Sequence, residues 1–338
     1  MGQQLTSDGV VVIGILGWLF GITRSPRHEA FSKHADDAVI DIGFPNYLQL
    51  PSRNFFGPYR RSPNERYILA WRDGNDSGTR GGARHSGSGR FILFEDRKII
   101  AEGRMARPND GKVADNGVFI LNDWEFTSDL SGIFFAFRPD GKKILSRRFK
   151  ANLYNNGLSA NGRLAVCQTC NSPDPDDSSV LTIFDLSLGK EIASWIPESG
   201  WAHFYEFPPD GQTIRLGYPD RGAFTYSLHG EFVDRVKWAD VELGKGNLMM
   251  VERLLKSALG RPSAALTEKL INSIDVALRS TDANNGRMQA WGFKLRGMCL
   301  EAQNDPVQAL ACYQRALALD PKIGLKRRAD QLRKTLAK

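Results

Sequence analysis

Two cysteines lie close enough in the chain to act together. Cys167 and Cys170 form a Cys-x-x-Cys motif at the end of an apolar run. A structural zinc site needs a second ligand pair at matching spacing, whereas Cys299 and Cys312 lie in a distant helical stretch. Four cysteines in 338 residues are also too few for a secreted disulfide framework. We therefore expect no metal, no cofactor and a reducing, cytoplasmic location.

One histidine has an acidic neighbour on a predicted strand. His203 and Glu206 stand in the run WAHFYEF, and such a pair could perform acid–base catalysis. A structural histidine explains the same pattern, and the chain contains no Gly-x-Ser-x-Gly motif. We therefore predict no catalytic residues and keep an enzyme that uses this pair as an alternative.

A glycine-rich stretch could hold phosphate. The stretch 73–90 places Arg80 and Arg84 among several glycines, but it lacks the Gly-Lys-Ser/Thr ending and the Gly-x-Gly-x-x-Gly pattern of phosphate-binding loops. We predict a flexible loop between strands, with Arg80 and Arg84 as candidate partner-binding residues.

An acidic loop could hold calcium. The run NSPDPDDSS carries Asp174, Asp176 and Asp177. It lacks the glycine and the distal glutamate of an EF-hand loop, so we expect a solvated loop.

Four copies of one pattern must position these residues. Between Arg60 and Trp238 the chain repeats a polar turn, an apolar strand, a polar loop and two strands joined by a charged turn. The charged turns contain Lys98, Lys143, Glu191 and Glu231, at steps of 45, 48 and 40 residues. The polar turns contain Asn64, Asn116, Asn161 and Asp210, at steps of 52, 45 and 49 residues. Such a period is typical of propeller blades, each a four-stranded antiparallel sheet.

The copies resemble WD40-like repeats, notably in the turns 139–142 (PDGK) and 209–211 (PDG). The resemblance implies a small β-propeller of about four antiparallel blades over residues 60–238. Residues 28–59 are a linker or a partial blade, because the runs 38–42 and 47–50 are strand-like. The sequence leaves open whether the ring closes with four blades, with five or not at all.

The pattern changes to a period of 3.6 residues beyond Trp238. The stretch 293–321 resembles a tetratricopeptide repeat in Phe293, Gly297, Leu300, Ala309, Tyr313, Ala316 and Pro321. The resemblance implies two antiparallel helices within a helical domain over residues 247–337, with Tyr313 packed near Gly297. One repeat cannot bury its apolar face alone. We therefore expect a preceding helix pair over 248–281, broken near Gly260, and a terminal helix over 323–337.

The net charge of +7 is concentrated at the C-terminus. Residues 322–338 carry seven basic side chains and one acidic side chain. Because the rest of the chain is nearly neutral, we do not expect nucleic acid binding. The candidate partner-binding residues of this helix are Arg327, Arg328, Arg333 and Lys334. A solvated cap of the helical stack is the alternative.

The N-terminal segment 1–27 contains an uncharged stretch, residues 9–23. Its core, Val10–Ile22, is almost wholly apolar but as a helix would span only about 20 Å of a bilayer core roughly 30 Å thick. Three interpretations stay open: a short helix that contacts a membrane or a partner, a strand pair that completes the propeller, and a marginal membrane span.

These features predict a multi-domain β plus α protein that acts as a non-enzymatic scaffold or adaptor for protein partners. One alternative is a membrane-associated adaptor tethered by residues 9–23. Another is an enzyme with a site in the propeller channel.

Overall fold

The computed structural model describes residues 40–41, 46–74, 88–125, 130–280 and 285–337. Within these ranges the chain forms four antiparallel sheets followed by six helices, so the predicted β plus α architecture is confirmed. The apolar segment 1–27, Arg80 and Arg84 lie outside the described residues. None of the helices within the described ranges is both long enough and apolar enough to cross a membrane.

The first sheet has six strands that follow one another in chain order. They are β1 (Ile40–Asp41), β2 (Tyr47–Leu50), β3 (Phe55–Arg61), β4 (Tyr67–Arg72), β5 (Gly89–Glu95) and β6 (Lys98–Met105). The first half of β3 pairs with β2, and its second half pairs with β4. Gly57 permits this change of partner, because a Cβ there would lie 2.0 Å from the carbonyl oxygen of Trp71. Strands β1 and β2 fall in the region predicted to be a linker or a partial blade.

The other three sheets are shorter meanders. Sheet 2 contains β7 (Pro108–Val113), β8 (Phe119–Asp123), β9 (Gly132–Phe137) and β10 (Lys143–Phe149). Sheet 3 contains β11 (Leu153–Leu158), β12 (Leu164–Thr169), β13 (Leu181–Asp185) and β14 (Lys190–Trp195). Sheet 4 contains β15 (Phe204–Glu206), β16 (Thr213–Tyr218) and β17 (Gly222–Ser227). A single bridge between Tyr226 and Phe232 stands where a fourth strand of sheet 4 would run.

Equivalent turns recur in all four sheets. The charged turns at Asp96, Asp140 and Leu188 join the third and fourth strands of the repeat in sheets 1, 2 and 3, as predicted. His229 follows the third strand of sheet 4, where a single bridge replaces the predicted hairpin. The polar turns also share one geometry, in which an Asn or Asp side chain accepts a hydrogen bond from the backbone N–H two residues later. Their acceptors are Asn64, Asn116, Asn161 and Asp210.

The polar turns also join neighbouring sheets. Asn64 Nδ2 donates to the carbonyl oxygen of Asp115 at 3.1 Å, and Asn116 Nδ2 donates to the carbonyl oxygen of Asn161 at 2.9 Å. One end of the sheet stack is therefore tied together by the same residues that form its turns.

The sheets pack face to face through apolar side chains. Phe91 of sheet 1 lies 5.4 Å from Phe119 of sheet 2, measured between ring centroids. Phe134 of sheet 2 stacks on Phe184 of sheet 3 at 4.7 Å. Alternation along each strand presents one set of side chains to the preceding sheet and the other set to the following sheet, which explains why these strands are apolar on both faces.

The two ends of the stack differ. The outer face of β4 and β5 in sheet 1 is covered, because Leu48, Leu50 and Phe55 from β2 and the start of β3 are almost fully buried in one cluster with Ile68 and Ile92. The outward face of sheet 4 carries Phe204, Glu206 and Arg215, all of which are exposed. Within the described residues no further sheet covers that face. Closure into a propeller stays a prediction.

Six helices follow the sheets. They are α1 (Arg235–Gly244), α2 (Leu248–Ser257), α3 (Ala264–Ser280), α4 (Gly286–Ala302), α5 (Pro306–Leu319) and α6 (Lys326–Leu336). The helix pair predicted over 248–281, its break near Gly260 and the terminal helix are confirmed by α2, α3 and α6.

Helix α1 was not predicted. It begins at Arg235, inside the region 60–238 for which only strands were expected, so the prediction is wrong at that end of the region. Asp234 explains the change from the expected strand to a helix, because its carboxylate accepts a hydrogen bond at 2.8 Å from the backbone N–H of Thr225, on the edge of β17. Trp238 of α1 then packs on Phe232, with ring centroids 5.4 Å apart. The helix occupies the side of β17 where a longer fourth strand would lie.

Candidate protein-interaction surfaces

The α4–α5 hairpin is built around Tyr313. The ring of Tyr313 is fully buried and lies so close to Gly297 that a Cβ there would be 2.3 Å from ring atom Cε1. The phenol O–H donates to the carboxylate of Glu301. Burial, reinforced by this hydrogen bond, raises the pKa of Tyr313 far above its usual value. The predicted contact between Tyr313 and Gly297 is confirmed.

Helix α6 covers the open side of this hairpin. Leu325, immediately before the helix, and Ala329 are buried in a cluster with Tyr313 and Ala316. The opposite face of α6 borders a shallow groove of about 540 Å³. The groove is lined by Lys326, Arg327, Asp330, Gln331 and Lys334.

The four basic residues predicted on this helix fall into two groups. Arg328 Nε lies 2.6 Å from Glu301 Oε2, and its guanidinium carbon lies 5.7 Å from the centroid of the Tyr313 ring, so Arg328 helps to hold α6 in place. Arg333 pairs with Asp330 at 3.0 Å within the helix.

Arg327 and Lys334 form the second group. Both are exposed, and the described structure gives neither of them an acidic partner. They are therefore the two predicted residues whose charge is available to a ligand.

His203 and Glu206 occupy the strand region predicted for them. His203 is exposed immediately before β15, and its backbone N–H donates to the carbonyl oxygen of Gly217 at 2.9 Å. Glu206 pairs instead with Arg215, at 2.8 Å, on the outward face of sheet 4. Their use as an acid–base pair stays a prediction that no contact within the described structure supports.

The cysteines are all free thiols. Cys167 lies fully buried in β12, where burial raises its pKa far above the usual value. Burial also raises the pKa of the less buried Cys170. A raised pKa reduces the thiolate fraction that a metal ligand or a nucleophile needs. Within the described residues no group of His, Cys, Asp and Glu side chains is arranged to hold a metal ion.

The acidic loop has a structural role. Asp177 is nearly buried and lies 3.3 Å from Arg147 Nη2, and Asp174 lies 3.0 Å from Lys150 Nζ. The hydrogen bond from Lys150 holds the pKa of Asp174 below its ordinary value. The expectation of a solvated loop is therefore wrong for Asp177, because Arg147 of β10 attaches the loop to sheet 2.

Sequence reasoning missed an exposed aromatic surface. Trp124, Tyr154 and Trp201 come from sheets 2, 3 and 4 and lie at the end of the stack opposite the polar turns. Their sequence contexts differ, so no repeated motif marks them. The only available signal was their position, at the end of β8 and at or just before the starts of β11 and β15.

Comparison with curated proteins found no match to the chain. A solved structure described as "Crystal structure of the eukaryotic initiation factor" is 15% identical, with a TM-score of 0.30. The match covers 44% of this chain and 36% of that chain, and a TM-score this low carries no conclusion about fold or function. Residues 290–323, which include most of α4 and all of α5, match the family model of the tetratricopeptide repeat.

Proposed function

We propose that this protein is a non-enzymatic scaffold or adaptor that binds protein partners through its helical repeat. The observation that carries the proposal is the tetratricopeptide match at residues 290–323, together with the close α4–α5 packing around Tyr313 and Gly297. Repeats of this type stack into extended surfaces suited to binding other chains.

The free basic face of α6 is the binding surface we favour. Arg327 and Lys334 lie on one groove, and their charges are not compensated by ion pairs among the described contacts. Complementary charge increases the rate and the specificity of association. The partner segment that fits this groove is therefore acidic.

We also infer that the four sheets are WD40-like blades in an open array. Their meander order, their equivalent turns and the hydrogen bonds between neighbouring turns support this inference. The exposed outward face of sheet 4, with Glu206 and Arg215, favours an open array over a closed four-bladed ring. The array then acts as the rigid support of the helical repeat.

Two alternatives have no observation in their favour. An enzyme that uses the His203–Glu206 pair stays a prediction, because Glu206 is engaged by Arg215. A membrane adaptor tethered by residues 9–23 also stays a prediction, since that segment lies outside the described residues.

The test compares two charge-reversal variants. R327E/K334E reverses the charge of the α6 groove. K143E/K190E reverses the charge of two exposed lysines on sheet hairpins, which also have no ion pair among the described contacts. Each purified protein is immobilised, and the partners it retains from host extract are quantified by mass spectrometry. We expect specific partners to be retained by the wild type and the hairpin variant and to be lost with the groove variant. Equal retention by all three proteins, with unchanged circular dichroism, would contradict the proposal.

A further inference from the structure

The polar turns of sheets 1, 2 and 3 contain asparagines at equivalent positions, and they differ in the residue that follows. In sheets 2 and 3 that residue is glycine, at Gly117 and Gly162, whereas in sheet 1 it is Glu65. The backbone nitrogen of a glycine is not shielded by a side chain, so it can attack the amide carbon of the preceding asparagine. Asn116 and Asn161 are both exposed and therefore share the covalent requirement for deamidation.

The same hydrogen bond closes both turns. The N–H of Gly117 donates to the carbonyl oxygen of Ala114 at 3.0 Å, and that of Gly162 donates to the carbonyl oxygen of Ser159 at 2.9 Å. The glycine nitrogen must lose its proton before it attacks, so each turn has to open first. Because this requirement is the same in both turns, the asparagine side chains decide which turn reacts.

The amide of Asn116 is held at both ends. Its Oδ1 accepts a hydrogen bond from the backbone N–H of Val118 at 3.1 Å, and its Nδ2 donates to the carbonyl oxygen of Asn161 at 2.9 Å. The amide also lies against the turn of sheet 3, since a Cβ on Gly162 would be 2.4 Å from its Oδ1. Asn116 must therefore break its contact with sheet 3 before its amide carbon can approach Gly117.

The amide of Asn161 is held through its oxygen. Its Oδ1 accepts hydrogen bonds from Ser159 Oγ at 2.8 Å and from the backbone N–H of Arg163 at 3.0 Å. These donors stabilise the negative charge that develops on this oxygen when the amide carbon is attacked. The described contacts give its Nδ2 no acceptor, so the nitrogen can leave without breaking a bond to the protein. Sheet 2 has Ala114 in place of Ser159, so Asn116 lacks the hydroxyl donor.

Two more Asn-Gly pairs occur in the described structure. Asn156 is 2% exposed in β11, and a Cβ on Gly157 would lie 2.9 Å from Cβ of Tyr205, so packing prevents the strand from bending. Asn285 caps α4 by accepting a hydrogen bond from the N–H of Met288, and it adjoins residues 281–284, which lie outside the described residues. Asn116 and Asn156 are therefore the internal references for Asn161.

We propose that Asn161 is a site of spontaneous deamidation. The deprotonated nitrogen of Gly162 forms a bond to Cγ of Asn161, and Nδ2 leaves as ammonia, which produces a five-membered succinimide ring. Water then adds to either carbonyl of the ring and opens it to aspartate or to isoaspartate. The net reaction exchanges NH for O and adds one negative charge to the turn.

The two products have different effects on the sheet stack. Asp210 already forms the equivalent turn in sheet 4, where its carboxylate accepts a hydrogen bond from the N–H of Gln212 at 2.7 Å, so aspartate at position 161 preserves the turn. Isoaspartate inserts an extra carbon into the main chain and displaces the carbonyl group of residue 161. Because that carbonyl oxygen accepts the hydrogen bond of Asn116, isoaspartate loosens the connection between sheets 2 and 3.

The experiment incubates the full chain at mildly alkaline pH, folded in buffer and unfolded in guanidinium chloride. Tandem mass spectrometry of tryptic peptides locates the exchange of NH for O at each asparagine over time. In the folded protein we expect Asn161 to react about fivefold faster than Asn116, or more, and Asn156 to react most slowly. In the unfolded protein Asn116 and Asn161 should react at similar rates, because both precede glycine and neither turn is present.

Ser159→Ala removes the hydroxyl donor and is expected to slow the reaction at Asn161 about fivefold, while Asn116 in the same variant keeps its rate. Reaction at Asn116 as fast as at Asn161 in the folded protein would overturn the proposal, and so would the same ratio of rates in the folded and the unfolded protein. An unchanged rate at Asn161 in a Ser159→Ala protein of normal stability would also overturn it. If Ser159→Ala lowers the stability, the ratios measured for the wild type decide.

Discussion

Tyr313 supports the packing of three helices through one side chain. Its ring fills the space beside Gly297 and lies in a cluster with Leu325 and Ala329. We expect Tyr313→Ala to lower the free energy of unfolding by about 3–5 kcal/mol, because the change leaves a cavity that a packed core fills only partly. Urea unfolding of the two proteins measures the difference.

Tyr313→Phe is the matched control. It removes only the hydroxyl that donates to Glu301, whose carboxylate keeps Arg328 as a partner. We expect a loss of about 1 kcal/mol. If both variants lost the same stability, the hydrogen bond and not the packing would hold the hairpin together.

Sequence reasoning at single residues succeeded where spacing along one hairpin decides the contact. The spacing of Gly297 and Tyr313 sufficed to predict their packing. The same reasoning could not separate Arg328 from Arg327, because the partner of Arg328 is Glu301, on α4. It also could not foresee that strand register places Glu206 opposite Arg215.

Helix α5 begins at a well-defined cap. Asp305 Oδ1 accepts a hydrogen bond from the backbone N–H of Gln308 at 3.0 Å, and Pro306 takes the first helical position, where a missing N–H costs nothing. We expect Asp305→Ala to lower the free energy of unfolding by about 1 kcal/mol. Asp305→Asn keeps an acceptor and should lose much less. Urea unfolding in which the Asn variant was as unstable as the Ala variant would show that the cap is not the source of the loss.

The hairpins, which depend on local turns, could be predicted from the sequence. Helix α1, which depends on tertiary contacts, could not. Asn and Asp in the polar turns bond to their own backbone, so the hairpins could be predicted from short stretches. Sheet 4 departs from the repeat at Asp234, which binds the edge of β17 and leads into α1. Trp238 packs on Phe232 only when sheet 4 is already folded. A short stretch of sequence therefore cannot predict this contact.

Whether the four sheets close into a ring could not be predicted from the sequence, for a related reason. Repeat length indicates blades, but closure depends on whether the first and last sheets present complementary faces. Leu48 and Leu50 of β2 already cover the outer face of β4 and β5 in sheet 1, while Glu206 and Arg215 make the outward face of sheet 4 polar. The repeat period does not predict these features, because they depend on which side chains face outward and on strands that are far apart in the chain.

Sheets 3 and 4 share one hydrophobic core with the helices. A single cluster of buried side chains runs from Val166 and Leu216 in the sheets through Trp238 to Leu270 and Leu295 in the helices. Burial of this kind is the main favourable contribution to folding, so neither part retains its full stabilisation without the other. The helices are therefore not an independent attachment to the sheets.

We predict that sheets 3 and 4 and the helices unfold in one cooperative transition. Glu198, in the loop between sheets 3 and 4, supports the coupling because it pairs with both Arg235 of α1 and Arg253 of α2. Far-UV circular dichroism, which follows the helices, and tryptophan fluorescence, which has reporters in both parts, should therefore give coincident urea transitions. A helical signal lost at clearly lower urea than the fluorescence signal would contradict the shared core. Trp238→Ala, which removes a side chain from the junction, should then separate the two transitions, because it weakens the contact that makes them one.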